Sequence, residues 1–137
     1  MRSSKDPELN IEGVGPTLGA AFGEAALSMT ALLTDPAAIR LKETIEIDCS
    51  ATSAERLLVA WLNAVLSEMR ARGMVFGAFN VDTDGFQLHA TVSGEHVLPE
   101  RQGAPIGIEG ATLKGLAVSE EPRGQWRVSC TVGFFRA

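Results

Sequence analysis

Residues 52–92 read TSAERLLVAWLNAVLSEMRARGMVFGAFNVDTDGFQLHATV, and the spacing of their apolar residues changes within this stretch. Up to residue 73, apolar side chains recur every three or four residues, which is the period of an amphipathic helix. Thr52 and Glu55 have the spacing of a capping box at its start, and Gly73 is a typical residue just beyond a helix end. After it, apolar and polar residues alternate on both sides of Asp82-Thr-Asp-Gly85, which predicts two strands joined as a hairpin.

A second helical period lies upstream, over residues 18–33, with Thr17 as its expected N-cap. Trp61, in the better-defined later helix, is expected in the core, because amphipathic helices normally bury such residues. In the earlier helix, Gly19 and Gly23 each weaken the helix by about 1 kcal/mol relative to alanine. Either close packing against a sheet or relaxed selection explains these two glycines, and the sequence leaves both explanations open.

The remaining segments have the period-two alternation of strands, including residues 41–49 and 126–134. Residues 122–124, Pro-Arg-Gly, are expected to close a second hairpin, and residues 94–107 form the longest irregular stretch. The resulting order is β-α-β-α-β-β-β-β. We therefore predict a single α+β domain over residues 1–137, in which two amphipathic helices cover one face of a mixed, mostly antiparallel β-sheet.

The chain has 137 residues and a formal net charge of −5, and 45% of its residues are hydrophobic. This composition is typical of an ordinary soluble globular protein. The acidic balance disfavours direct binding to nucleic acid, so a protein that serves nucleic acid with this charge is expected to act through a protein partner. No apolar run has the roughly 18 to 20 residues of a membrane span. We expect a cytoplasmic protein with no membrane contact, whose Cys49 and Cys130 are reduced core thiols.

Three features are candidates for chemistry, and each has a simpler structural explanation. Asp82-Thr-Asp-Gly85 has the opening spacing of a calcium loop, but it continues directly into a predicted strand, so a turn is favoured. His89 lies on the polar side of its strand, where a solvated imidazole is expected, and His96 falls in the irregular stretch. Neither histidine accompanies a nucleophile motif such as G-x-S-x-G, so a hydrolase is disfavoured.

Asp6 and Glu8 are the remaining carboxylates of interest. They stand two residues apart near the first strand, so an extended backbone would direct both to one side. Two adjacent carboxylates can hold a hard cation, although at least one further oxygen ligand is normally needed. From the residues alone, a solvated N-terminal segment is the favoured explanation.

Several segments together resemble the archease family. Residues 8–26, ELNIEGVGPTLGAAFGEAA, are similar to the family's opening, and Leu33-Thr-Asp35 stands where its members reach Met-Thr-Asp. Leu88-His-Ala90, Gly94-Glu95 and Arg101 follow as the family's Leu-x-Ala, Gly-Glu and Arg-His elements do. Residues 108–116, IEGATLKGL, are similar to its Ile-Lys-Ala-x-Thr-Tyr-His segment. These segments keep the family's order along nearly the whole chain.

The resemblance implies a non-enzymatic accessory protein that assists the RNA-splicing ligase in tRNA splicing and RNA repair by promoting its guanylylation and multiple turnover. It also implies a divalent cation, Ca²⁺ or Mn²⁺, bound by acidic residues. Glu8 is the metal candidate that the resemblance leaves, with Asp6 as a substitute. Glu95, Arg101 and Lys114 are the candidate contacts with the ligase.

The departures from the family fall where its chemistry lies. Lys5 stands in place of a first-strand histidine, and Gln102 replaces the histidine of the Arg-His element. Leu113 and Lys114 replace the tyrosine and histidine of the later segment, and Gly133 falls on the family's aspartate near the end of the last strand. We therefore expect a retained fold whose metal site is weakened or lost, with no cofactor as the favoured outcome.

A second class of function stays open, namely a binding or oligomerising module that reuses the fold after losing the ancestral role. The glycines of the first helix and the missing metal residues favour it, and a homo-oligomer is compatible with it. Whether the same genome encodes the ligase would distinguish the two hypotheses. A hydrolase that uses His89 or His96 is the third and least favoured.

Overall fold

The computed structural model describes residues 8–97 and 106–136. Within these residues two α-helices and six strands follow one another in the predicted order β1-α1-β2-α2-β3-β4-β5-β6. The helices are α1 (Leu18–Ala31) and α2 (Ala54–Arg72). The strands are β1 (Glu8–Gly15), β2 (Glu43–Ser50), β3 (Met74–Thr83), β4 (Gln87–His96), β5 (Ile106–Glu121) and β6 (Gln125–Arg136).

The strands form two three-stranded sheets, which we name sheet A (order β1-β6-β5) and sheet B (order β2-β4-β3). All the described pairings are antiparallel. The α+β class and the element order are confirmed, but the single mixed sheet expected from the sequence is replaced by two sheets. Strands β1 and β2 are joined through a helix and would run parallel in a common sheet. They belong to different sheets because α1 buries more than one of its sides and takes apolar cover from both sheets.

Helix α1 packs against β1 and β6 of sheet A and against β3 of sheet B. Glycines allow the backbones to approach closely. A Cβ on Gly13 of β1 would lie 2.0 Å from the carbonyl oxygen of Ala21, and a Cβ on Gly19 of α1 would lie 2.2 Å from that of Val81. Of the two explanations for the glycines of this helix, the structure therefore supports close packing against a sheet.

Helix α2 begins one residue later than the sequence predicts. Ser53 is its N-cap, and the Ser53 hydroxyl accepts a hydrogen bond from the Arg56 amide at 3.2 Å. The prediction of Thr52 as the cap is wrong, because Ser53 itself has the extended backbone of a cap residue. Glu55 still lies in the first turn, where its charge complements the helix dipole. Gly73 ends the helix in the left-handed conformation, with φ of 65°, as expected.

The core lies where the helices meet both sheets. Trp61 is fully buried, as predicted, and its Nε1 donates a hydrogen bond to the carbonyl oxygen of Phe22 at 3.0 Å, which links α2 to α1. Its ring also contacts Phe79 edge to face, with centroids 6.0 Å apart. Both sheets contribute buried apolar side chains to the same core: Ile47, Phe76, Leu88, Val92, Val128 and Val132.

Both predicted hairpins are present. Strands β3 and β4 are joined by the turn at Asp84 and Gly85, and β5 and β6 by a 3₁₀ turn at Pro122–Gly124. Strand β4 continues as far as His96, so this histidine lies in a strand and not in the irregular stretch expected from the sequence. The strand can continue because Gly94 lets β3 approach: a Cβ there would lie 1.8 Å from the carbonyl oxygen of Val75.

Candidate functional site

Glu8, the predicted metal ligand, lies in β1 directly opposite Gly133 of β6. Gly133 is the position on which the family resemblance places an aspartate. Directly opposed residues of an antiparallel pair are neighbours across the strands, so two carboxylates at these positions would lie side by side. Because glycine has no side chain, this pair of positions carries one carboxylate where an acidic pair would carry two.

The second predicted ligand, Asp6, and the predicted partner contact Arg101 lie outside the described residues, as do Lys5 and Gln102. Over residues 8–97 and 106–136, no group of three or more histidine, cysteine, aspartate or glutamate side chains is placed to hold a metal ion. The metal roles of Asp6 and Glu8 therefore stay predictions.

Lys114, a predicted partner contact, lies in an irregular part of β5. The register between β5 and β6 shifts between Thr112 and Ala117, and Gly115 adopts a left-handed backbone with φ of 67°. The Ser129 hydroxyl donates a hydrogen bond to the carbonyl oxygen of Gly115 at 3.2 Å, which attaches this bulge to β6. Bulges are common beside functional sites because they redirect side chains. The contact role of Lys114 stays a prediction.

Glu95, the third predicted contact, has an intramolecular partner. Its Oε2 accepts a hydrogen bond from the backbone amide of Arg40 at 3.0 Å, and the residue is half-buried near the end of β4. The contact attaches the segment before β2 to β4. Glu95 therefore has a structural role, and its contact with a ligase stays a prediction.

His89 lies on the outer face of sheet B, the face turned away from the helices, among acidic residues. It stands opposite Asp48 of β2 on one side and Asp82 of β3 on the other. Its Nδ1 is 2.7 Å from Oδ1 of Asp48, and its Nε2 is 3.7 Å from Oε1 of Glu46. The hydrogen bond to Asp48 raises the pKa of His89, and the charges of Asp48, Glu46 and Asp82 raise it further. The prediction of an exposed imidazole is confirmed, but this imidazole is paired with carboxylates.

A cleft of about 590 Å³ opens beside this cluster. It is lined by the last residues of β2, the first residues of β4 and the β3–β4 turn, and His89 and Asp48 form part of its wall. Asp84 shapes the turn, because its Oδ1 accepts hydrogen bonds from the amides of Gln87 and Phe86, both at 2.8 Å. These bonds hold the pKa of Asp84 below its usual value. The turn interpretation is confirmed, because the Asp84 carboxylate accepts hydrogen bonds from backbone amides of the β3–β4 hairpin.

His96 connects α2 to sheet B. Its Nδ1 is 3.1 Å from the carbonyl oxygen of Arg72, the last residue of α2, and its Nε2 is 2.9 Å from Oε2 of Glu43. For His89 and His96 alike, the polar partners found among the described residues are carboxylates or a backbone carbonyl, and none is a nucleophilic hydroxyl or thiol. A hydrolase that uses one of these histidines would need the histidine paired with a nucleophilic hydroxyl or thiol. The observed contacts do not support this function.

Both cysteines are free thiols, in agreement with the sequence prediction. Cys130 is buried in β6 of sheet A, and burial raises its pKa to about 11. Cys49 is half-buried in β2 of sheet B, where burial and the charge of Asp48 raise its pKa as well. Raised pKa values keep both groups in the unreactive thiol form at neutral pH.

The cluster around His89 is the feature that sequence reasoning missed. The signal was present, because Glu46, Asp48 and His89 all occupy the polar side of their strands. What was missing was the pairing of β2 with β4, which depends on residues about forty positions apart and cannot be obtained from periodicity within one strand.

Fold and site together define a class: a small α+β protein in which two antiparallel sheets pack against two helices. In the part of the chain that the structure describes, no helix combines the length and apolarity needed to cross a membrane. The chain belongs to the archease family, because the family model "Archease protein family (MTH1598/TM1083)" matches residues 7–133.

Several relatives carry the name Protein archease. The one from Thermococcus kodakarensis is 26% identical over 123 residues, which cover 87% of each chain. The one from Sulfolobus acidocaldarius is 27% identical over 115 residues, which cover 82% of this chain and 83% of the relative.

Solved structures of other proteins share the fold. Protein 1598 of Methanobacterium thermoautotrophicum has a TM-score of 0.74 at 20% identity, with 92% of this chain and 91% of that chain covered. An archease from Thermotoga maritima, described as a possible chaperone, has a TM-score of 0.55 at 16% identity, with 98% and 96% covered. These likenesses establish the α+β architecture.

Proposed function

We propose that this chain is a cytoplasmic, non-catalytic accessory protein that stimulates an RNA-splicing ligase through protein–protein contact, and that its metal binding is weakened or lost. Membership of the archease family supports the accessory role. The proposal combines that role with the resemblance at the segments ending in Arg101 and Lys114, and with the departures at the family's metal positions.

The pairing of Glu8 with Gly133 is the observation that carries the metal part of the proposal. A hard divalent cation in a protein site prefers several oxygen ligands, most of them carboxylates. The residues that stand at the family's ligand positions do not fit this need, because one member of the cross-strand pair has no side chain. Asp6 is the further carboxylate that the chain has near this end of β1.

The charge of the chain supports a protein partner over a direct nucleic-acid partner. The formal net charge is −5. Strands β2, β3 and β4 contain no lysine or arginine, so sheet B has no basic surface of its own for phosphates. An effect on RNA ligation would then act through the ligase.

A guanylylation assay tests the accessory role. The ligase of the same organism is incubated with GTP with and without this chain, and a pull-down measures binding in parallel. We expect binding and faster guanylylation. Glu24→Lys, a charge reversal on helix α1, is the control for Lys114→Glu. Weaker binding and stimulation with Lys114→Glu than with Glu24→Lys would support the contact assigned to Lys114. Absence of both binding and stimulation would overturn the accessory role.

Calorimetry on metal-free protein tests the metal prediction. We expect no tight stoichiometric binding of Ca²⁺ or Mn²⁺ to the wild-type chain. Gly133→Asp places a carboxylate opposite Glu8 and is expected to increase the affinity for the metal ion. Ala117→Asp is the control, because it adds the same charge opposite Ser129, which has no carboxylate. Circular dichroism checks that both variants fold. Tight binding to the wild type would refute the predicted loss of the site.

The alternative is a repurposed binding or oligomerising module, and the glycines of α1 no longer favour it. The glycines of α1 are consistent with relaxed selection from the sequence alone, but Gly19 is placed where a Cβ would collide with backbone atoms of β3. The departures at the metal positions remain consistent with that alternative. A genome that lacks the ligase gene would favour it.

A further inference from the structure

Strand β2 forms an edge of sheet B. Strand β4 pairs with one side of it, and within the described residues no strand pairs with the other side. The amide of Ala51 donates to the carbonyl oxygen of Phe86 at 2.9 Å, and in an antiparallel ladder such bonds recur at every second residue. The backbone N–H and C=O groups of Thr44, Glu46 and Asp48 therefore point away from β4. We name these groups the open edge.

Side-chain contacts agree with this assignment. In an antiparallel ladder, opposite residues that do not exchange backbone hydrogen bonds have side chains closer together than the hydrogen-bonded pairs do. The Thr44 and Ser93 hydroxyls lie 2.8 Å apart, and Asp48 and His89 lie 2.7 Å apart. By contrast, β3 at the other edge of the sheet is packed against α1 and the 3₁₀ turn at Pro36–Ala38.

The two sides of β2 differ in chemistry. On the outer face, Glu46 and Asp48 have side chains 70% and 74% exposed, and Asp82 of β3 adds a third exposed carboxylate around His89. On the inner side, Ile45 and Cys49 are half-buried and pack against the core. A strand added beside β2 would therefore meet acidic groups on one face and apolar groups on the other.

We propose that the open edge binds an extended basic segment of a partner protein, which adds a fourth strand to sheet B. Backbone hydrogen bonds to Thr44, Glu46 and Asp48 would supply affinity, and alternate side chains would supply specificity. The segment carries lysine or arginine at the positions that face Glu46 and Asp48, and apolar residues at the positions that face Ile45 and Cys49.

Charge complementarity selects this occupant over a second copy of the chain. Two β2 strands side by side would bring carboxylates close to each other, and like charges across a strand pair are destabilising. The same acidic face repels nucleic acid. The inference goes beyond the proposed function, since it adds a partner surface on sheet B to the predicted contacts at Glu95, Arg101 and Lys114. Its test contains no ligase, so the two proposals can fail separately.

A peptide titration tests the inference. A blocked peptide of about seven residues that alternates lysine and valine is added to the full ¹⁵N-labelled chain. We expect saturable shifts and slowed hydrogen exchange at the amides of Thr44, Glu46 and Asp48. Glu46→Lys is expected to weaken binding about fivefold or more. Glu24→Lys, the same charge change at an exposed site on α1, is expected to change affinity by less than about twofold.

Two further peptides exclude simpler explanations. A peptide that alternates glutamate and valine is expected not to bind, and one with its lysines and valines in separate blocks is expected to bind more weakly. Equal binding of either peptide, shifts confined to residues outside β2, or a dimer formed through β2 without peptide would overturn the proposal. If Glu46→Lys does not fold, the near-isosteric Glu46→Gln is expected to weaken binding in the same direction.

Discussion

Replacing Gly19 by alanine is predicted to destabilise the protein, although alanine is the better helix former. Gly19 lies in the first turn of α1, against β3. A Cβ at this position would be 2.2 Å from the carbonyl oxygen of Val81 and 3.0 Å from its carbonyl carbon. Both atoms belong to the backbone of a paired strand, so neither can move aside as a flexible side chain could.

The magnitude follows from two opposing effects. Exchange of a helical glycine for alanine gains about 1 kcal/mol in helix propensity. An ordinary contact with the oxygen would require α1 and β3 to separate by about 1 Å, and forced overpacking of this kind costs about 1 to 3 kcal/mol or more. Separation also weakens contacts of neighbouring core side chains. With this further loss, we expect the free energy of unfolding to fall by about 1 to 2 kcal/mol, and Tm by about 3 to 10 °C.

Urea unfolding followed by tryptophan fluorescence measures this change, since Trp61 is buried against α1. Gly23→Ala is the matched control on the same helix, because its Cβ would be 3.3 Å from the nearest atom, the carbonyl oxygen of Phe79. It is expected to be neutral or slightly stabilising. If Gly19→Ala proved as stable as Gly23→Ala, the close packing of α1 on β3 would be the wrong explanation for its glycines.

Three further predictions concern single side chains. An NMR titration is expected to give His89 a pKa above 6.5, and this pKa is expected to fall in Asp48→Asn. Because folding raises the pKa, the stability that His89 contributes is complete below the ordinary histidine pKa and is lost as pH rises through the raised value. An unchanged pKa in Asp48→Asn would contradict the hydrogen bond. Ser53→Ala is expected to lower the free energy of unfolding by about 1 kcal/mol in urea, and Thr52→Ala to change it far less; the reverse order would restore Thr52 as the cap. Cys130 is expected to react with a thiol reagent at pH 8 only after unfolding, and rapid labelling of Cys130 itself in the native protein would contradict its burial.

Local signals are sufficient for most of the elements. The α2 pattern predicts a helix that ends at Gly73, and the structure agrees because both the apolar period and the glycine act within a few residues. Either Thr52 or Ser53 can cap a helix, so the sequence does not decide between them. In the structure the cap is Ser53, whose backbone is extended. The sequence predicts a loop at His96 because Gly94 normally interrupts a strand, whereas here this glycine allows a close approach of β3.

The site depends on pairings that no local pattern contains. That Glu8 faces Gly133, and that His89 lies between Asp48 and Asp82, follows from the register of strands that are distant in the chain. The resemblance to archeases draws attention to the first pair, because it places an aspartate at position 133. No motif of the sequence draws attention to the cluster around His89 in the same way.

The sequence by itself determined the element order, the apolar face of α2, the turn at Asp84 and the family, because periodicity, turn chemistry and ordered motifs are local properties of a chain. Within the described residues, tertiary structure alone decided that the strands divide into two sheets, that α1 packs against both of them, and that β2 lies as an acidic edge strand of sheet B. The physical reason is that strand pairing and burial balance the whole set of apolar surfaces at once, and α1 required cover on more sides than one sheet provides.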